Sequence, residues 1–272
     1  MSALVVIPAR YGAVRFPGKP LAMLHGKPVI QHVYERATQA TRVQEVFVAT
    51  DDERIMTAVG RFGGRAVMTN PSARSGTERV AEVARAHAAK VVINVQGDEP
   101  LIRGEMIDQL ATFLEQHTAI PMASLKTRLC DPHLAASPHV VKVVVDRDGF
   151  ALYFSRAQIP FVRQQTADSR PETEASRTPT ATVQSPPVSS LQSPVWYKHI
   201  GIYGYQRHFL LQFPHLEPTP LEQLEQLEQL RALEHGYRIK LLDTAHDTVG
   251  VDTSEDLQWV EQILRGTPVS HG

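Results

Sequence analysis

A single cysteine, Cys130, stands among 272 residues, so no intrachain disulfide can form and no thiolate cage for zinc can be built. A reducing compartment is the expectation. An excess of either charge is also missing, since 28 Lys and Arg face 29 Asp and Glu for a formal net charge of −1. No field spans the whole protein to gather nucleic acid or anionic lipid, and any phosphate handling has to be local. No run of about 18 apolar residues is present, and the opening MSALVVIPARYG carries neither a basic leader nor an apolar stretch of signal length. A cytoplasmic protein is predicted, with neither nucleic acid nor membrane as partner. The spacing GxGxxG and the Walker sequence are both missing, which argues against a dinucleotide site and a P-loop. No repeat of 20 to 50 residues is visible.

What is present folds. With 42% hydrophobic and 21% charged residues, the chain is far from the composition of disordered proteins and long enough for one large domain or two joined ones. Over residues 1–130, β-branched runs alternate with helical patterns: Leu4–Ile7 before Pro28–Gln39, Val46–Thr50 before Asp52–Phe62, and Glu78–Ala89 before Val91–Val95. That rhythm predicts an α/β fold, a mostly parallel sheet with helices on both faces, whose purely apolar strands are covered on both sides. Ligands in such sheets bind outside the carboxyl ends of the strands, so Pro8–Pro20, Thr50–Asp52 and Gln96–Pro100 should share one rim.

Beyond residue 130 the rhythm changes. VVKVVVD, the DRDG turn at Asp146–Gly149 and FALYF read as a hairpin, the start of a smaller inserted antiparallel lobe over 131–215. Within it, half of the residues of Gln164–Val195 are Pro, Ser or Thr, and the segment reads as a flexible surface excursion. Residues 216–272 should return to the core. A Glu/Gln/Leu-rich helix from about Thr219 to His235 is followed by a strand at Arg238–Leu242 and a last helix opened by Thr253 or Ser254 in a variant capping box with Asp256.

Five places could carry chemistry. The loop after the first strand holds Arg10, Arg15 and Lys19 within ten residues, with Gly12 and Gly18 between them. It suits a triphosphate bound without a Walker sequence, or is simply a solvated basic turn. Asp98 of VQGDEP and Asp252 of GVDT are loop carboxylates at strand ends, fit for Mg²⁺ beside a nucleotide or, more plainly, for capping the helices that follow. Ser75-Gly76-Thr-Glu-Arg79 opens a helix, where it could read a base edge or bind an anion, or merely serve as a good N-cap. On a continuous helical wheel Glu228 and Arg231 fall inside the leucine arc of PLEQLEQLEQLRAL and Gln229 outside it, giving either a buried ion pair or a polar substrate contact. Strand alternation puts His199, Gly201 and Tyr203 on one face, where His199 is a ligand contact or a structural histidine.

Taken together, IPARYGAVRFPGKPL, TDDERI, SGTERV, NVQGDEP, YFSRAQIP, KHIGIYGY, PLEQLEQLEQLR and GVDTSEDL resemble, in order and spacing, the bacterial CMP-Kdo synthetases, or 3-deoxy-manno-octulosonate cytidylyltransferases. The resemblance implies the reaction of CTP with the acid sugar Kdo to give CMP-Kdo and diphosphate, feeding lipopolysaccharide assembly, in a homodimer. It implies Arg10, Arg15 and Lys19 on the triphosphate, Ser75 and Gly76 with Arg79 near cytosine, and Asp98 and Asp252 on Mg²⁺. Gln96, Arg156, His199, Tyr203, Glu225, Glu228 and Gln229 would hold the sugar acid, and Lys19, Asp98 and Asp252 would form the catalytic set. Gln164–Val195 is longer than the family's usual stretch there. The rival readings are a CMP-transferase for another acid sugar, such as sialic acid or an amino variant of Kdo, and a non-catalytic nucleotide-binding paralogue. Sialate enzymes typically follow the first loop with a lysine–asparagine pair in place of PGKP.

Overall fold

A computed structural model describes residues 3–12, 16–162 and 196–266. Arg15 and the Gln164–Val195 segment lie outside the described residues.

The chain opens on β1 (Ala3–Pro8), whose six residues are all buried. After the first loop a short hairpin, β2 (Met23–Leu24) and β3 (Lys27–Pro28), leads into α1 (Val29–Ala37). Next come β4 (Val43–Thr50), α2 (Glu53–Arg61), β5 (Ala66–Met68), α3 (Gly76–Arg85), β6 (Val91–Val95) and α4 (Gly104–Gln116). These elements match the predicted alternation of strand and helix. The third part of the chain holds β7 (Met122–Leu129), α5 (Pro132–Ala136), the hairpin β8 (Lys142–Val145) and β9 (Ala151–Ser155), and β10 (Trp196–Gln206). The last part runs through α6 (Arg207–Gln212), α7 (Pro220–Glu225), α8 (Gln229–Glu234), β11 (Ile239–Asp243) and α9 (Ser254–Leu264).

Nine strands form one sheet along the path β11-β7-β10-β6-β1-β4-β5, with the β8–β9 hairpin attached to β10 through the Lys198–Lys142 pairing. Strands β6, β1, β4 and β5 pair in parallel, as β11 does with β7, while β10 runs antiparallel to both its neighbours. Two apolar clusters cover the faces. Val5, Ile7, Val48 and Ile93 pack on one side with α1 and α4, and Leu4, Val6, Val92 and Tyr205 on the other with α3 and α6. Side-chain alternation along a strand produces this split. It carries Ile200 and Ile202 of β10 to the first face and His199, Tyr203 and Tyr205 to the second, as the alternation predicted. Among the described residues no helix is long and apolar enough to cross a membrane.

One expected element is different. The helix read from Thr219 to His235 is two short helices, broken where Gln226 adopts a left-handed backbone, φ 54°. Leu224 consequently points to solvent at 80% exposure, while Gln229 and Arg231 are buried. A single helical wheel fails across such a break, so Gln229 lies inside, where the wheel placed it outside. Arg231 pairs with Glu222 at 2.5 Å and stands 4.0 Å from Glu228.

Candidate functional site

The carboxyl ends of β1, β4 and β6 meet at one rim, where a cleft of about 670 Å³ opens. Its floor is the first loop. Gly18 has φ 74° and its amide bonds the Tyr11 carbonyl at 2.9 Å, a left-handed turn that glycine takes without strain. The turn throws Lys19 into the cleft. At Gly12, by contrast, no protein atom stands within 4 Å of where a Cβ would lie. Arg10 lines the same cleft.

Lys19 Nζ lies 2.6 Å from Asp98 Oδ2 and 3.0 Å from Asp252 Oδ1. Burial works against its charge, but the Asp98 and Asp252 carboxylates outweigh it and raise its pKa. Two loops far apart in sequence thus converge on one cation. Neither aspartate caps a helix: α4 starts after Arg103 and α9 is capped by Thr253. The capping box of Thr253 with Asp256 forms as read, and Asp256 also accepts the amide of Asp252 at 2.9 Å. Close packing fixes the Asp98 loop, because a Cβ on Gly97 would stand 2.8 Å from the Pro8 carbonyl. The Val251 amide donates to the Asp98 carbonyl at 2.8 Å and ties the two carboxylate loops together.

The far wall is the start of α3. Ser75 caps the helix, its hydroxyl accepting the Glu78 amide at 3.2 Å, and Ser75, Gly76 and Arg79 line the cleft. Arg79 is buried and held by Asp51 at 2.5 Å and Thr69 at 2.8 Å, so its guanidinium braces α3 against β4. Gln96 and Glu228 complete the wall.

The remaining residues of the expected sugar set fall into two groups that do not line the cleft. Tyr203 and Gln229 bond each other at 3.1 Å. His199 is 6% exposed, between the Phe154 and Tyr203 rings, with Nε2 2.9 Å from Ser124 Oγ. Ser124 has one hydroxyl proton and a carbonyl acceptor, Ile202, at 2.7 Å. His199 therefore donates from Nε2, and burial pushes its pKa down to about 3. Arg156 and Glu225 close on each other beside the hairpin: the Arg156 amide and Nε reach the Glu225 carboxylate and carbonyl, both at 2.9 Å, and Ser155 donates to the same carboxylate at 2.6 Å.

Three groups were missed in the sequence. Glu99 is half-buried, its Oε2 enclosed with no well-formed hydrogen bond among the described residues; burial and then the Asp98 charge raise its pKa to about 7. Lys198 holds the loop before Asp252 through the Thr248 carbonyl at 2.8 Å and Asp247 at 2.7 Å. Thr77 donates to Glu228. Adjacent acids at a strand end gave a signal for Glu99 without telling which of the two turns inward, Thr77 belonged to the helix start read for a base edge but not for a contact with Glu228, and Lys198 gave none.

A nucleotide-sized cleft at the strand ends, lined by cations, paired carboxylates and a helix start, defines a nucleotidyltransferase, and the Cytidylyltransferase family matches residues 4–239. The 3-deoxy-manno-octulosonate cytidylyltransferase of Geobacter sulfurreducens is 48% identical over 97% of this chain and 100% of its own length, and that of Pelobacter propionicus is 49% identical over 97% and 98%. A solved structure of CMP:2-keto-3-deoxy-manno-octonic acid synthetase complexed with CTP superposes with TM-score 0.82 at 40% identity, covering 98% of this chain and 99% of that one. The chain belongs to the 3-deoxy-manno-octulosonate cytidylyltransferases.

Proposed function

We propose that the protein transfers the cytidylyl group of CTP to the anomeric hydroxyl of 3-deoxy-manno-octulosonate and releases diphosphate, the activation step that precedes use of this sugar in lipopolysaccharide. The observation that carries the reading is the shared cleft, lined by Arg10, Lys19, Asp98 and Asp252 together with Ser75, Gly76, Gln96 and Glu228. Arg10 and Lys19 bind the triphosphate and offset the charge on the leaving diphosphate; phosphoryl transfer depends mainly on such positioning and charge. Ser75 and Gly76 present the α3 start to the base. Arg79 acts by holding α3 in place, because its donors are engaged with Asp51 and Thr69.

The pair Asp98 and Asp252 fits Mg²⁺, which takes one or two carboxylates and completes its shell with phosphate oxygens and water. Bound there, Mg²⁺ supplies Lewis-acid stabilisation of phosphoryl charge and a lower pKa for the attacking hydroxyl. Gln96 and Glu228 face the sugar. Tyr203 and Gln229 support that wall from beneath, His199 fixes the β10 end of it, and the Arg156–Glu225 pair clamps the hairpin beside it. A reducing cytoplasmic setting accords with the lone, exposed Cys130. A homodimer would cover the exposed Leu152 and Phe161 near the hairpin.

Diphosphate release across CTP, UTP and ATP, each with Kdo and with sialic acid, tests the substrate pair. CTP with Kdo should lead. UTP exchanges an amino donor for a carbonyl and leaves an acceptor unpaired, about 1–3 kcal/mol in kcat/KM. Equal kcat/KM with UTP or with sialic acid would refute that half of the assignment.

A further inference from the structure

Glu228 lines the cleft at the start of α8, with 29% of its side chain exposed. Its two oxygens are used differently. Oε2 accepts a hydrogen bond from the Thr77 hydroxyl and the Ser75 hydroxyl also reaches the carboxylate, whereas Oε1 is buried with no well-formed hydrogen bond among the described residues. The nearby cation, Arg231, stands 4.0 Å from Oε1 and is already engaged by both oxygens of Glu222, at 2.8 and 2.5 Å. A buried carboxylate oxygen without a donor is costly unless a ligand completes it. Thr77 is 3% exposed and does not line the cleft, and the Tyr205 phenol lies on the same hydroxyl. It therefore acts on Glu228 from behind. If the Thr77 hydroxyl were lost, the Glu228 carboxylate would be free to turn the short way to Arg231 and close that ion pair, withdrawing its acceptor from the cleft.

We infer that Thr77 is a positioning residue: by pinning Oε2 of Glu228 it fixes that carboxylate at the cleft wall as the acceptor for a hydroxyl of the acid sugar, and it joins the base-binding end of α3 to the sugar wall. This rests on the substrate pair proposed above. The test compares KM for CTP and for Kdo in the wild type, Thr77→Val and Thr77→Ser. Thr77→Val keeps the shape and removes the donor. It should raise the Kdo KM about tenfold while leaving the CTP KM within about twofold, and Thr77→Ser should restore the wild-type value. Combined with Glu228→Gln, Thr77→Val should add no further loss. An unchanged Kdo KM in folded Thr77→Val, or an equal rise in both KM values, overturns the assignment. Thr77→Ala gives the same reading if the valine variant fails to fold. Should the wild type release no diphosphate from CTP and Kdo, the substrate pair falls by itself. Thr77 is then judged by urea unfolding of the single and double variants, where additive losses would overturn the contact.

Discussion

Lys19 reaches Asp98 and Asp252 because Gly18 turns left-handed before it and because two distant loops end at the same point. Asp98→Asn and Asp252→Asn should each lower kcat by several orders of magnitude while far-UV circular dichroism stays unchanged, since each removes one of two converging carboxylates. Near-normal turnover of either variant at saturating Mg²⁺ would exclude the pair as the metal site. His199 gives a second test. Its imidazole stays neutral in the folded protein down to about pH 3, whereas the unfolded chain takes up a proton near pH 6.5. Its stabilising effect is complete above pH 6.5 and is lost as pH falls, by about 2 kcal/mol between pH 6.5 and 5. Urea midpoints should decline over that window in the wild type and less in His199→Gln; parallel declines would refute it. At this scale the charged cleft residues were legible, since cations and carboxylates beside apolar strands have few places to go. The direction of a side chain was not. Arg79 and Arg156 look like substrate binders in sequence, but each is satisfied by partners that only the fold brings near.

The broken segment after Thr219 shows why three-residue leucine spacing is a poor guide to a helix. No glycine or proline marks the break, and Leu227, Leu230 and the Arg231–Glu222 pair are buried by bending the chain at Gln226. Burial of those groups outweighs the local cost of a left-handed glutamine, about 1 kcal/mol. Gln226→Gly should therefore raise the unfolding free energy by about 0.5–1 kcal/mol. In a continuous helix the same change would lower it by about 1 kcal/mol, so the sign of the shift in denaturant midpoint decides between the two conformations. Strand β7 escaped notice for a related reason. Ser124 and Lys126 interrupt its apolar run, yet both are buried, one bonded to β10 carbonyls and the other to Asp243 over the Tyr197 ring. Helix ends with their own signals were legible: Asp52, Ser75 and Thr253 cap α2, α3 and α9 as their residue types suggest.

Across the whole molecule, the alternation of apolar strands and amphipathic helices was enough to predict the parallel core and its ligand rim. The sheet order was not predictable, because pairing of β10 with β6 and β7 joins residues 67 to 115 positions apart in the sequence. The cleft draws its walls from the first loop, α3, the loop after β6, the α7–α8 segment and the Asp252 loop, so a ligand that fills it should stabilise the fold as a unit. CTP at about a hundred times its Kd should add about 2.7 kcal/mol to the unfolding free energy. UTP at the same concentration should add less, and equal shifts in a thermal melt would contradict base selection by this cleft. The place of β10 also bears on how the protein is made. As the chain leaves the ribosome, β6 and β7 emerge first, yet they cannot pair with each other, because the gap between them, about two strand spacings or 9.6 Å, belongs to residues 196–206. Until that stretch has been translated, both strands present open edges to other nascent chains. Fragments ending before Trp196 should therefore collect in inclusion bodies, while those extending past Gln206 should be the first to depend less on chaperones.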